Sequence, residues 1–402
     1  MKIINIKDLK PGMYVAGVIK QTGHIKIKSQ GWVKTQKSID KLVSTGVLEV
    51  EIDPDKTIQN GQQQQQQQPP PPIDESIPET VFNPWHKSAS IESELTQATK
   101  LYDEAKTLQQ KAFVDLQSGG PINISAFKET AHGLIDSVFR NQDALACIAR
   151  IREKDTYLLE HSINVSILIS IFAKHMGIER PIIEQMATGA LLHDIGKVHI
   201  PDSILQKPSQ LTKDEFEVMK SHAKYSFDIV LQAQLGKIAT EIAGYHHERL
   251  DGSGYPYGYK TDELSQYVKM AAIVDVYDAL TAERIYKVGM TPVKAFKILK
   301  EGTPHHYDTE LLNIFINAIG VYPVGTLVKL TSQRVGIVCA SNPEAPLKPT
   351  VKVFYHAKHM HYVEVKDVDL SNKRVDDSLE AAIKPEEFSL DLLKFFRHSM
   401  LP

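Results

Sequence analysis

Residues 191–197 read LLHDIGK, and the pair that closes this apolar run, His193 and Asp194, decides how the chain is read. An imidazole offers one neutral nitrogen ligand, and the adjacent carboxylate has two oxygens that can bridge a pair of cations. Alone the dipeptide says little, because a buried or capping His-Asp pair at a helix end is common. Its company changes the reading. His161 precedes it in HSINVSILIS, His222 follows in MKSHAKYS, His246 and His247 stand together in HHERLDGSGYP, and Asp275 lies inside MAAIVDVYDALTAE. Each sits in or beside an apolar run of helical spacing. A carboxylate such as Asp275 within an otherwise apolar helix is costly unless paired, and a dication is an efficient partner. Helix caps or a lysine would satisfy one such residue, but account less readily for five separate His/Asp elements in one bundle.

Outward from that centre the helical period continues. Leu95, Ala98, Leu101, Tyr102, Ala105 and Leu108 recur at three- and four-residue steps, which predicts a long helix from Ser90 onward. Segments of the same kind cover 124–139, 156–175, 181–193, 213–234, 237–247, 264–286, 291–300 and 310–319. A helical domain over 90–322 is therefore expected. Before it, KIINI, MYVAGVI, HIKIKS and VLEVEI read as short strands of a β or α+β module over 1–53, with one helix in SIDKLVSTG capped by Ser38 and closed by Gly46. Residues 54–89 form a linker, because a glutamine run over 62–68 followed by a proline run over 69–72 buries no apolar area and favours extended chain. After Gly320 the pattern returns to strands in TLVKLT, RVGIVCAS, PTVKVFY and HYVEVKDV, a small β extension and tail over 323–402. The fold class is mainly α, a bundle flanked by two small β parts, with no internal repeat.

Composition narrows the function. The 402 residues, 42% of them hydrophobic, suffice for more than one domain. With 46 Lys and Arg against 49 Asp and Glu, the formal charge of -3 gives no basic field for gripping a nucleic-acid polymer, so a nucleotide ligand should be small and held locally. Cys147 and Cys339 lie too far apart in sequence for a disulfide framework or a thiolate zinc site, which fits a reducing, cytoplasmic setting. The opening MKIINIKDLKPG lacks the pattern of a signal peptide. The longest strongly apolar stretch, 165–173, is interrupted by Ser166 and Ser170 and falls short of the roughly 20 residues that span a bilayer, so no membrane anchor is expected.

HD followed by GK, then the lone histidine, then HHERLDGSGYP, resembles the HD-GYP subgroup of the HD phosphohydrolases, the cyclic di-GMP phosphodiesterases, over residues 155–323. Several ordered elements coincide, so the resemblance is specific. The N-terminal module is similar to the uncharacterised domain often found before HD-GYP domains. The resemblance implies an HD-type helical bundle and assigns metal ligation to His161, His193, Asp194, His222, His246, His247 and Asp275, with Asp194 bridging. Such a set can serve two six-coordinate divalent ions and leave positions for water and substrate. Some family members hold a third metal through a glutamate four residues before the first histidine. Here that position is Tyr157, and Glu160 is rotated about a quarter turn around the helix, so a dinuclear site is expected. Imidazole and carboxylate ligands without thiolate suit iron or manganese, as the family also implies, while ligand type alone admits zinc, cobalt or nickel.

Catalysis is assigned to Asp194 and to Lys197, which lies within reach of a phosphate beside the metals and otherwise reads as a solvated surface lysine. Arg284 and Lys287 share one helical face beyond Asp275 and suit a substrate with two phosphates, with Asp278 on that face to orient either cation. Gly252 and Gly254 permit tight turns and Pro256 stiffens the exit, setting Gly254 and Tyr255 beside the substrate. Tyr255 can stack on a base, pack into the core or meet a partner. His305, His306, His356, His359 and His361 lie outside the constellation and read as surface or satisfied histidines. By resemblance the substrate is cyclic di-GMP, opened to linear pGpG and onward to GMP, with related members preferring cyclic GMP-AMP. Two other readings stand beside it. One is a general HD nucleotidase acting on mononucleotides or alarmones, disfavoured by the paired histidines and GSGYP; the other is a metal-loaded receptor that binds the dinucleotide without cleaving it. The N-terminal module is expected to regulate access, form a homodimer or meet a signalling protein.

Overall fold

The computed structural model describes residues 2–22, 31–33, 35, 39, 42–43, 46–54, 83–150, 157–282, 289–342, 344–388 and 390. The chain divides into two compact units, Met1–Pro78 and Glu79–Pro402. The first is built on an antiparallel sheet of order β1-β4-β2-β3, with β1 Lys2–Asn5, β2 Tyr14–Gln21, β3 Gly31–Trp32 and β4 Val47–Asp53. Its core gathers Ile6, Leu9, Val15, Val33, Ile39, Val47, Val50 and Ile52. Gly46 enters β4 at φ +84, and a Cβ there would strike the backbone of Thr22, so the turn requires glycine. The HIKIKS strand, most of the SIDKLVSTG helix and the Gln/Pro run fall outside the described residues.

In the second unit Ser90 caps α1, Ile91–Gln117, by accepting from Ser93 N at 3.2 Å. Leu95, Ala98, Tyr102, Ala105 and Ala112 form its buried stripe against α2, Ile124–Arg150. From the apolar period α2 should stop at 139; it runs on to Arg150 because Asn141 breaks the helix, at φ -159 and ψ 100, and restarts it. The Asn141 side chain accepts from Asp143 N at 3.1 Å, as a cap would, and donates to Ala89 O at 3.0 Å.

The central helix α3, Tyr157–His175, is buried along almost its whole described length. Its polar positions are absorbed internally: Ser166 Oγ donates across to Ala187 O at 3.0 Å, and Asn164 accepts from the Tyr102 hydroxyl at 2.9 Å. Around it lie α4 Arg180–Leu192, α5 Lys213–Gln232, α6 Lys237–Tyr245, α7 Gln266–Thr281, α8 Pro292–Glu301 and α9 Thr309–Ile319. Starts are set by local chemistry: Pro181 in the first turn of α4, a reciprocal Thr212–Glu215 capping box on α5, and Ser265 and Asp308 caps on α7 and α9.

An antiparallel sheet follows, order β8-β7-β6-β5-β9, with β5 Leu327–Leu330, β6 Arg334–Ala340, β7 Thr350–His356, β8 His361–Asp369 and β9 Leu379–Ala382. Strand β9 has no counterpart in the sequence reading. Val328, Leu330, Val338, Val351 and Val353 belong to the same buried cluster as the helices, so one face of the sheet completes the bundle core. Among the described residues no helix is long and apolar enough to cross a membrane.

Candidate metal centre

The seven expected ligands converge. His161 comes from α3, His193 and Asp194 from the end of α4, His222 from α5, His246 and His247 from the end of α6, and Asp275 from α7. All are buried except half-buried His247. Three sets of ligand atoms each lie within 4.8 Å of one another: those of His222, His246 and His247; of His161, His193 and Asp275; and of His193, Asp194 and His246.

The turn carrying Asp194 is held by Gly196, whose N–H donates to Ser226 Oγ of α5 at 2.9 Å. A Cβ at Gly196 would collide with the backbone of His222 and Ser226, so only glycine lets α5 approach closely enough to bring His222 in. Asp194 then stands with Oδ1 3.3 Å from His222 Nε2 and Oδ2 3.5 Å from His193 Nε2, between the two halves of the cluster. On the other side Asp275 Oδ1 lies 2.9 Å from His161 Nε2, and Asp275 Oδ2 3.5 Å from His247 Nδ1.

Ring orientation follows from what the outer nitrogens do. Nδ1 of His193 donates to Ala190 O at 2.7 Å, Nδ1 of His222 to Met219 O at 2.7 Å, and Nδ1 of His246 to Ala243 O at 3.1 Å. A proton committed to the backbone leaves the Nε2 lone pair facing inward. Nε2 of His222, Nε2 of His246 and Oδ1 of Asp194 are buried with no hydrogen-bond partner. Three unspent acceptors in one buried place are costly for a protein alone and suit a divalent cation.

Electrostatics point the same way. Burial holds His193 below its ordinary value, His246 well below it, His222 down to about 4 and His247 down to about 3, so all four rings are neutral near neutral pH. Burial favours protonation of Asp194, yet Lys197 and the surrounding imidazoles outweigh it and hold the carboxyl well below the usual range. His161 differs: burial opposes its charge, but Asp275 and Asp278 raise it to about 9.

Lys197 lies 2.5 Å from Asp194 Oδ2 and keeps partial exposure, at the rim of the centre. From sequence Asp278 is expected on the substrate side, orienting a cation. The structure puts its fully buried carboxylate behind His161, with Oδ2 accepting from Nδ1 at 2.8 Å, where it aims the ring. Arg284 and Lys287 lie outside the described residues, as does the side chain of Tyr157. Glu160 pairs with Lys106 at 3.0 Å.

Gly254 sits where a Cβ would strike the backbone of His247, Glu248 and Arg249, which presses the loop against the histidine pair. The Tyr255 ring lies 4.7 Å from that of His247, and Tyr255 N donates to His247 O at 3.3 Å. Sequence reasoning missed Glu248, which sits between the ligand pair and the glycines. Its buried carboxylate accepts from the backbone N–H of Tyr257 at 2.8 Å, Gly258 at 3.2 Å and Tyr259 at 3.1 Å, tying the loop down. A carboxylate beside a glycine-rich loop was the available signal.

Comparison with known proteins gives three family matches: an HD domain over residues 146–311, a domain of unknown function (DUF3391) over 1–127, and a KOW domain associated with HD domain over 327–376. The second match runs through the linker and α1, well beyond residue 53. The cyclic di-GMP phosphodiesterase PA4108 of Pseudomonas aeruginosa is 30% identical over 383 residues, 94% of this chain and 91% of that one. A probable cyclic di-GMP phosphodiesterase of Vibrio cholerae is 38% identical over 43% of this chain and 42% of its own length. The 3'3'-cGAMP-specific phosphodiesterase 3 of the same organism is 32% identical over 48% and 42%. Matched nearly end to end, and with a candidate His/Asp metal cluster gathered in its bundle, this chain belongs to the HD-GYP phosphodiesterase family of the Pseudomonas protein.

Proposed function

We propose that this chain hydrolyses cyclic di-GMP to linear pGpG, and onward to GMP, at two divalent ions, iron or manganese, in a cytoplasmic setting. The observation that carries the reading is the set of inward lone pairs on His222, His246 and Asp194 that no protein donor uses. His161, His193, His222, His246, His247 and Asp275 would hold the ions, with Asp194 between them. When bound, the ions supply an activated water and neutralise charge on the phosphoryl oxygens.

The chain's own groups do the rest. Lys197 stands partly exposed beside Asp194 and offers an ammonium to a phosphate oxygen whose charge grows in the transition state. Tyr255, fixed by its backbone bond to His247, walls one side and presents a ring to a base. Arg284 and Lys287 are assigned to the second phosphate. A second reading, cyclic GMP-AMP as substrate, draws on the similarity to the Vibrio 3'3'-cGAMP-specific enzyme.

The test is anaerobic reconstitution of the full chain with Fe2+ or Mn2+, metal analysis, and chromatography of products from both cyclic dinucleotides. Linear pGpG with about two ions per chain is the expected result. Asp194→Ala should lose turnover and at least one ion, whereas Lys197→Ala should keep its ions and lose rate. Tight binding without product would make the chain a receptor, turnover of mononucleotides alone would make it a nucleotidase, and parental turnover in Asp194→Ala would defeat the mechanism.

A further inference from the structure

The β7–β8 hairpin carries three histidines that the bundle does not use. His356 ends β7, His361 opens β8, and the two are direct cross-strand partners, so both side chains leave the same face of the sheet. Their rings are parallel within 7° with centroids 6.0 Å apart. The connecting turn, in which Met360 takes φ +51, brings His359 over the same pair, 4.6 Å from His356 and 6.0 Å from His361.

These spacings approach what one ion would impose. With metal–nitrogen bonds of about 2.0 Å, each ring centroid sits roughly 3.2 Å from the ion, so centroids lie about 4.5 Å apart at a right angle and about 5.2 Å apart at the tetrahedral angle. The His356–His359 spacing falls in that range and the two 6.0 Å spacings lie beyond it, so the rings must turn inward to share an ion. His359 and His361 are exposed, so turning their rings onto a common ion requires only rotation about side-chain bonds.

Nitrogens of two of the rings are unspent. Nδ1 of His361 donates to His359 O at 3.4 Å, which leaves its Nε2 lone pair free. Nδ1 of His356 is shut from solvent and has no hydrogen-bond partner, an unusual state for a surface histidine. Burial, followed by its two histidine neighbours, Lys358 and Arg334, pushes His356 below its ordinary value, toward the neutral form that binds metal. The nearby positive charges weaken attraction for a hard cation, so the ligand must gain from covalent nitrogen coordination.

We propose that His356, His359 and His361 form a second metal site, separate from the bundle centre, for a borderline divalent cation such as Zn2+, Ni2+ or Cu2+. An all-imidazole set selects these ions, whereas the carboxylates of the bundle also suit Mn2+. A bound ion clips the turn to both strands and stiffens the hairpin. The site does not depend on the phosphodiesterase reading.

The test uses the full chain, stripped with chelator and reloaded with Mn2+, then dialysed against Ni2+ and passed through a desalting column before metal analysis. The wild type should retain one more equivalent of Ni2+ than His359→Gln/His361→Gln, while the two Mn2+-loaded proteins turn over substrate equally. His356→Gln alone should weaken Ni2+ binding at the hairpin by about tenfold or more, as loss of a coordinating or orienting partner does. Asp194→Ala, impaired in the bundle, should keep the hairpin equivalent. Equal Ni2+ stoichiometry and affinity in the wild type and the double variant would overturn the proposal.

Discussion

Replacing Glu248 by alanine removes the acceptor of three backbone N–H groups at once, those of Tyr257, Gly258 and Tyr259. Hydrogen bonds to a charged acceptor contribute about 1.5–3 kcal/mol each, which sets a ceiling of roughly 4.5–9 kcal/mol for the three. The full amount should not appear in the unfolding free energy. Tyr257 is exposed and Gly258 and Tyr259 are half-buried, so a loop that swings outward recovers hydration for its donors. Local opening then keeps the loss of global stability well below that ceiling. The larger consequence falls on the chemistry, because the same movement draws Tyr255 away from His247. A displacement of about 1 Å next to reacting groups lowers turnover by up to about 100-fold. Glu248→Gln should be intermediate, since Oε1 serves Tyr257 and Gly258 while the amide replaces the oxygen facing Tyr259. The assay pairs steady-state turnover with metal content and thermal unfolding for both variants. A Glu248→Ala protein that keeps parental turnover while losing stability would refute the link between loop anchoring and catalysis.

Asp278→Asn should weaken metal binding by about 10–100-fold, because His161 loses the carboxylate that aims its ring; unchanged affinity in a chelator competition would refute that role. Gly196→Ala should lower metal content, since its methyl must displace the backbone of His222 or Ser226; a fully loaded variant would show that the contact is dispensable. Lys174 is buried beside Val138 O and Phe139, and burial pushes it down from 10.5 to about 8. A lysine depressed on folding destabilises the fold fully below its folded value, and the penalty fades as pH rises toward the unfolded one. The shift corresponds to at most about 3 kcal/mol, less about 1 kcal/mol for the hydrogen bond to Val138 O. Lys174→Met should therefore be more stable than the parent at pH 7, with the gain largely gone near pH 10.5. A difference in urea midpoint that does not change with pH would count against this.

What was legible in the sequence had local causes. The apolar period marks a helix wherever one face is buried, and it placed α4 through α9 to within a few residues, apart from the C-terminal end of the α7 segment, where the described helix stops at Thr281. It missed the continuation of α2, because a side chain that caps a restarted helix looks in sequence like an ordinary interior asparagine. It also missed β9, a strand of four half-buried or exposed residues with no alternation to betray it. At the site, residue types announced which side chains the fold brings together. Asp278 and Glu248 were harder, since one acts on a histidine far away in sequence and the other on backbone groups, which no residue pattern records.

The same division explains how the centre is built. His193, His222 and His246 are aimed by carbonyls of their own helices, three residues earlier in each case, so a helix that forms has already turned the ring and set its tautomer. No distant partner is needed. His161 depends instead on Asp278, a full turn beyond Asp275 on α7, and on the packing of α3 against that helix. These three rings are thus prepared by secondary structure, and His161 only by tertiary structure. Disturbing the contact between α3 and α7 should accordingly loosen the His161 and Asp275 half of the centre while leaving His222, His246 and Asp194 facing one another. On the proposed two-ion reading, a variant such as Asp278→Asn should lose one ion well before the other, and metal analysis across a chelator series should resolve two steps in place of the closely spaced release expected of the parent.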